Sequence, residues 1–267
     1  MYPILFKVGP LDVTTYYVLW AAALFLMITW TRRRAVSMYG MTFGDATDVL
    51  LWMIFGVFIG AMLGGYLANW TKYAGSPAKI LNFWESGVSS GPGFIGGGLA
   101  GLYKLKRLKV SPNAFAEAAA VPCAFMLFVG RWGCFLNGCC LGIRTDSPWG
   151  VAFPFAPSVR VFPTQLFESF AALAIGMILV ITERKLGRSP RNSQRGAFLM
   201  PIFLLLYGAY RFFFDFLRAG DRILGLRLGQ YTGAIACVVG IVWFICSFRN
   251  SRAKNVVSAS DEHENLH

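Results

Sequence analysis

The chain has 267 residues, of which 56% are apolar, 16% aromatic and only 14% charged, where a soluble domain carries roughly a quarter charged residues. With a mean hydropathy of +0.53, this composition excludes an ordinary soluble globule and makes the bilayer the solvent for most of the chain. Lys and Arg outnumber Asp and Glu 25 to 13, and the placement of the cations decides whether that excess means nucleic acid, acidic lipid or loop bias.

In chain order, segments with little or no charge run at Val13 to Thr31, Val49 to Ala68, Gly91 to Tyr103, Phe115 to Gly130, Leu166 to Thr182, Ala197 to Tyr210 and Gln230 to Phe248. The opening MYPILFKVGP has no basic region and no small-residue cleavage site, so the first run reads as a retained span. The third is short for the roughly 20 residues a crossing needs. It carries Gly91, Gly93, Gly96, Gly97, Gly98 and Gly101, so it reads as a broken or half-buried segment whose backbone protein or water must satisfy. The expected fold is all-α and polytopic, with about seven transmembrane helices. One integral-membrane domain is expected over residues 1–248, and the polar stretch 249–267 reads as a disordered cytoplasmic tail.

Seven alternating spans put Arg32, Arg33, Arg34, Lys104, Lys106, Arg107, Lys109, Arg184, Lys185, Arg188, Arg191, Arg195, Arg249, Arg252 and Lys254 on one side. Lys7, Lys72, Lys79, Arg144, Arg160, Arg218, Arg222 and Arg227 fall on the other, and Arg131 and Arg211 lie in or beside apolar segments. The bias predicts an outside N-terminus and a cytoplasmic C-terminus. Topology therefore accounts for the net charge of +12, and nucleic acid is not an expected partner.

Both histidines, His263 and His267, lie in the tail. A Ser-His pair, a His-ligated zinc and a haem with a proximal His are thereby excluded from the membrane body. What remains is a set of polar groups in apolar surroundings: Arg131, Asn137, Gln165, Glu168, Tyr207, Arg211, Asp215 and Arg218, with Glu117 near a span end. Intramembrane charges are costly enough to be functional by default. In YGAYRFFFDFLR, Arg211 and Asp215 stand at i, i+4, with Tyr207 one turn before and Arg218 about one turn after, so one helix face is polar. Mutual neutralisation that merely glues the bundle is one reading. Arg131 and Arg211 exceed what Asp215 alone can pair, however, and guanidinium holds phosphate through two parallel hydrogen bonds, so a lipid phosphate would complete the site.

The glycines of GFIGGGLAG and GRWGCFLNGCCLG permit close approach of a ligand or of a neighbouring helix, and the pattern alone does not choose. Cys134, Cys139 and Cys140 crowd beside Arg131, while Cys123, Cys237 and Cys246 are isolated within spans and read as packing residues. For the crowded three, a disulfide or plain packing comes first, a reactive thiol assisted by Arg131 second, and a metal site last. No metal or other cofactor is expected.

These residues resemble the prolipoprotein diacylglyceryl transferase family. Its signature Gly-Arg-x-Gly-Asn-Phe-x-Asn-x-Glu-x-x-Gly is similar to GRWGCFLNGCCLG, which keeps Gly130, Arg131, Gly133, Phe135, Asn137 and Gly142. GPLDVTTYYVLW places Tyr16 where the family has a Tyr, and GFIGGGL is similar to its Phe-His-Gly-Gly-Leu stretch. FPTQLFE looks like its His-Pro-Ser-Gln-Leu-Tyr-Glu, and YGAYRFFFDFLR like its Tyr-Gly-x-x-Arg-x-x-x-Glu-x-x-Arg.

The resemblance implies a bacterial inner-membrane enzyme that moves diacylglycerol from phosphatidylglycerol to the thiol of a lipobox cysteine in a prolipoprotein. Arg131 would hold the lipid phosphate and Arg211 the departing glycerol phosphate, and with them Tyr16, Asn137 and Cys139 form the expected catalytic set. Gly96, Gly97, Gly98, Gly142, Gln165, Glu168, Tyr207, Asp215 and Arg218 would line the substrate site with Arg131. The family's histidine aligns with Gly96, its signature Asn and Glu with Cys134 and Cys139, and its sixth-span Glu with Asp215. These departures keep two alternatives in view: a divergent member using the three cysteines for other lipid- or thiol-transfer chemistry, and a non-enzymatic lipid carrier.

Overall fold

The computed structural model describes residues 4–8, 11–68, 90–186, 197–219 and 224–264. Lys72, Lys79, Arg188, Arg191, Arg195 and Arg222 lie outside the described residues. Among the described residues, seven α-helices follow the seven apolar segments: α1 (Thr15–Tyr39), α2 (Phe43–Ala68), α3 (Ser90–Arg107), α4 (Pro112–Asn137), α5 (Thr164–Lys185), α6 (Leu199–Phe214) and α7 (Leu228–Glu264). A 3-10 turn, Asp215–Leu217, extends α6. The stretches Phe43–Leu67, Pro112–Asn137, Thr164–Lys185, Leu199–Leu217 and Leu228–Asn250 are each long and apolar enough to cross a membrane. Their exposed Phe55, Phe58, Leu63, Ile178, Ile235 and Val242 would be costly in water and are at home in lipid.

Three features depart from the sequence expectation. Two antiparallel hairpins, β1 (Ile4–Val8) with β2 (Leu11–Thr14) and β3 (Val151–Phe153) with β4 (Ala156–Val161), add short strands to the all-helical plan. Their strands are too short to stand out against the helical apolar runs. The third segment is one continuous helix rather than a broken one. The helical backbone of α7 also runs on to Glu264, where a polar tail is predicted to be disordered. No Gly or Pro after Gly240 interrupts it.

The chain forms two compact units, Ala35–Phe115 and Met1–Arg34 with Ala116–His267. In the first, α2 packs along α3. Gly93, Gly97 and Gly101 repeat at the i, i+4 spacing that lines one helix face. A Cβ on Gly93 would press on Ala61, one on Gly97 on Val57, and one on Gly101 on Met53, while Gly56 and Gly96 meet backbone to backbone. The glycines keep α3 intact by letting two backbones approach, the small-residue packing of membrane helices. Lys104 and Asp48 add an ion pair at 2.8 Å.

The larger unit has its apolar core where Val121 and Ala124 of α4, Ile175 and Leu179 of α5, and Leu199 and Phe203 of α6 meet. Pro122 lies inside α4, and because proline has no N–H, the carbonyl of Ala118 one turn earlier loses its helical donor. Arg34 Nε donates to that oxygen at 2.9 Å, and the rest of its guanidinium forks onto Glu183 at 2.8 and 2.6 Å. Arg34, counted by sequence among loop cations, is therefore a buried structural residue. Glu117 is structural as well: its Oε1 accepts from the backbone N–H groups of Leu199 (2.6 Å) and Met200 (3.1 Å) and so caps the start of α6.

Candidate active site

Five of the polar residues singled out from sequence, Arg131, Glu168, Arg211, Asp215 and Arg218, converge inside the larger unit, and Glu168 is the hub. Its carboxylate on the first turns of α5 is 1% exposed. Arg131 of α4 reaches Glu168 Oε2 at 2.6 Å, while Arg211 of α6 and Arg218 just past the 3-10 turn reach Oε1 at 2.9 and 3.7 Å. Asp215 lies 3.5 Å from Arg211 at the i, i+4 spacing. Arg131 and Arg211 are thus not left over from Asp215, since Glu168 receives both. Three guanidiniums face two carboxylates, and the group keeps one formal positive charge in a low-dielectric setting, where such charge is strongly felt.

Local structure explains how these groups are held. A Cβ on Gly229, at the start of α7, would collide with the Asp215 carboxylate and the Arg211 guanidinium, so glycine is needed for α7 to approach the pair. Arg227 Nη1 donates to the carbonyls of Asp215 (2.8 Å) and Phe216 (3.3 Å) and clamps the 3-10 turn. At Gly142 a side chain would strike the Phe162 and Leu217 carbonyls. Its N–H donates to Phe162 O, and the neighbouring Ile143 N–H to Leu217 O at 2.8 Å, which stitches Arg218 to the α4–β3 connection. Gly130 and Gly133 take up α1, the former against the Trp20 ring.

Beyond α4 the chain reverses at Gly138 (φ +69°), and Cys140 also adopts a left-handed conformation (φ +60°). Cys139 N–H donates to Cys134 O at 3.1 Å across the helix end. The result gathers the Cys134, Cys139 and Cys140 sulfurs within 4.8 Å of one another, all three as free thiols. Gln165 Nε2 donates to Cys139 O (2.6 Å) and Thr164 Oγ1 to Cys140 O (3.0 Å), so the turn is tied to the start of α5, one turn from Glu168. Hydrogen bonds from the Cys134 and Cys139 thiols pull the Cys140 thiol below its ordinary value, and Arg218 and Arg131 add to that. The same bonding pushes Cys139 up.

Tyr16 of α1 lies within electrostatic reach of all three cysteines and packs edge-on against Tyr17. Asn137 ends α4, half-buried. Tyr207 stacks on Phe203 in the core, and its edge-on neighbour Tyr210 is the tyrosine whose field reaches Arg131, Glu168 and Arg211. Gly96 and Gly97 serve the α2–α3 packing of the other unit, and Gly98 is exposed. Sequence reasoning missed Tyr210, Arg227 and Gly229. Tyr210 carried a signal in its place beside Arg211, whereas Arg227 and Gly229 earn theirs only through contacts made in the fold.

Fold and site together define a polytopic helical membrane protein whose buried cationic cluster is suited to an anionic group. The family model for prolipoprotein diacylglyceryl transferase matches residues 3–246, and the chain belongs to that family of transferases, multi-pass proteins of the bacterial inner membrane. A Geobacter sulfurreducens protein named phosphatidylglycerol–prolipoprotein diacylglyceryl transferase is 33% identical over 236 residues, covering 86% of this chain and 87% of its own. A Cupriavidus necator protein of the same name is 32% identical over 260 residues (92% and 93%). One from Oleidesulfovibrio alaskensis is 33% identical over 244 residues (88% of each).

Proposed function

We propose that this protein transfers the diacylglyceryl group of phosphatidylglycerol to the cysteine thiol of a prolipoprotein lipobox. The observation that carries the reading is the surplus positive charge of Arg131, Arg211 and Arg218 over Glu168 and Asp215. A phosphodiester monoanion balances it. In the reaction the thiolate sulfur bonds to the glyceryl carbon while the carbon–oxygen bond to phosphate breaks. The oxygen keeps the electron pair, and the phosphate passes from one negative charge to two. Guanidiniums already held in place stabilise that growing charge more than the ground state, which is what accelerates a reaction. Arg131 and Arg211 hold the phosphate, Glu168, Asp215 and Arg218 position them, and Tyr16 and Asn137 border the acceptor side. The N-terminus is outside and the C-terminus cytoplasmic, a reading supported by the loop cations.

The test is incubation of the purified protein with phosphatidylglycerol and a lipobox peptide, following diacylglyceryl-peptide and glycerol phosphate by mass spectrometry. Both products are expected, and Arg131→Ala and Arg211→Ala should each lower turnover by at least ~100-fold. Full activity in either variant overturns the assigned roles.

A further inference from the structure

Any such transfer needs its acceptor as a thiolate, and the described spans contain no histidine to take the proton. Next to the arginine cluster stand three thiols whose convergence the mechanism above leaves unused. We propose that Cys134, Cys139 and Cys140 form a three-thiolate site for zinc or a similarly thiophilic divalent cation, whose fourth position takes the incoming lipobox thiol and presents it as the thiolate. This proposal rests on the diacylglyceryl-transfer reading above.

Sulfurs around tetrahedral zinc lie about 3.8 Å apart, given Zn–S bonds of about 2.3 Å. The three sulfurs here lie within 4.8 Å of one another, close to that spacing. The backbone that carries them is fixed by the left-handed residues Gly138 and Cys140 and by hydrogen bonds to the Cys139 and Cys140 carbonyls. Cys134 is buried, whereas Cys139 and Cys140 are half-buried, so the trio has an accessible side. Three protein ligands with an open position describe a catalytic zinc site, where a structural one closes with four. The grouped ligand atoms are the three sulfurs alone, and the Glu168 and Asp215 carboxylates are engaged by arginines.

Metal coordination deprotonates a thiol outright at neutral pH, so the ion supplies what a histidine base would otherwise do. The acceptor's S–H proton passes to solvent as the sulfur binds the ion. The carbon–sulfur bond then forms, the carbon–oxygen bond breaks, and the electron pair leaves on glycerol phosphate. The thioether, a poor ligand, departs, and the metal keeps its oxidation state throughout.

The test uses the full chain in phosphatidylcholine nanodiscs, stripped with a chelator and titrated with Cd(II), whose thiolate complexes absorb in the ultraviolet. One Cd(II) per chain is expected, lost in C139S and C140S and retained in C237S/C246S. Binding no stronger than in C139S/C140S overturns the site. In wild-type protein, Cd(II) should shield Cys139 and Cys140 from maleimide, read by peptide mass spectrometry, so the answer does not depend on a variant folding; unshielded thiols overturn it too. A lipobox peptide should shift the Cd(II) absorbance and its serine analogue should not, and identical spectra overturn the thiol-delivering role. With phosphatidylglycerol present, Zn(II) should raise thioether formation on the order of 100-fold over stripped protein, and equal rates overturn the catalytic role. If no thioether forms at any metal loading while Cd(II) binding is intact, the transfer reading fails and the metal site stands.

Discussion

Glu168 pairs with three guanidiniums at 2.6, 2.9 and 3.7 Å while almost wholly buried. Such a carboxylate is worth more than any one of its partners. Glu168→Gln keeps the shape and leaves three cations facing Asp215 alone. It should cost about 3–5 kcal/mol, as breaking a buried ion pair does, and turnover should fall with it. Thermal unfolding in detergent together with the peptide assay checks this, and an unchanged melting temperature would contradict the central role given to Glu168. Arg131→Lys preserves the charge but not the planar fork. Turnover at least ~10-fold below wild type, with folding intact, is expected from a bidentate phosphate contact; wild-type rates would show that charge alone suffices.

The helices owe their arrangement to a few local substitutions of one bonding partner for another. Pro122 removes a donor from α4, Arg34 replaces it from α1, and the same guanidinium pairs with Glu183 of α5. Three helices are pinned through one side chain. Arg34→Ala should lower stability by about 3–5 kcal/mol while leaving turnover per folded molecule near wild type. A selective loss of turnover with normal stability would instead move Arg34 into the chemistry. In α3, Gly96 touches the backbone of α2 whereas Gly98 has nothing within 4 Å of where a Cβ would stand. Gly96→Leu is therefore expected to destabilise by ~1–3 kcal/mol or more through overpacking, and Gly98→Leu to be tolerated. Equal melting temperatures for the two variants would remove the packing account of this glycine stretch.

At the scale of the molecule, the apolar helix faces set the solvent, and the proposed orientation rests on the loop cations. Reporter fusions after Arg107 and after Arg249 should both score as cytoplasmic, and a fusion in the β3–β4 hairpin as external. A cytoplasmic hairpin would place the arginine cluster toward the wrong leaflet for an externally supplied prolipoprotein. Among the described residues a helix stands at each of the seven apolar segments, and five of these are long and apolar enough to span a membrane, because in lipid every backbone group must be satisfied within its own segment. The third segment reads as broken from composition, which cannot tell a glycine that frees the backbone from one that lets a neighbour in. The i, i+4 repeat of Gly93, Gly97 and Gly101 carried the answer, but only the presence of α2 against that face gives it meaning.

The site was legible to a comparable depth. Arg131, Glu168, Arg211, Asp215 and Arg218 stand out as polar residues in apolar runs, since the cost of burying charge makes each of them conspicuous. Their pairing was not legible: Asp215 is the near partner of Arg211 in sequence, while Glu168, 43 residues away, holds it more closely. Arg34 and Glu117 show the converse, charges that look functional or loop-bound in one dimension and turn out to satisfy helix backbone in three. The sequence by itself determined the solvent, the apolar segments that become helices and the inventory of costly groups, because these follow from transfer free energies summed along the chain. Only the tertiary structure decided which charge meets which, how three cysteines come to share one point, and which glycines are contacts, because those depend on distances between segments that hydropathy does not encode.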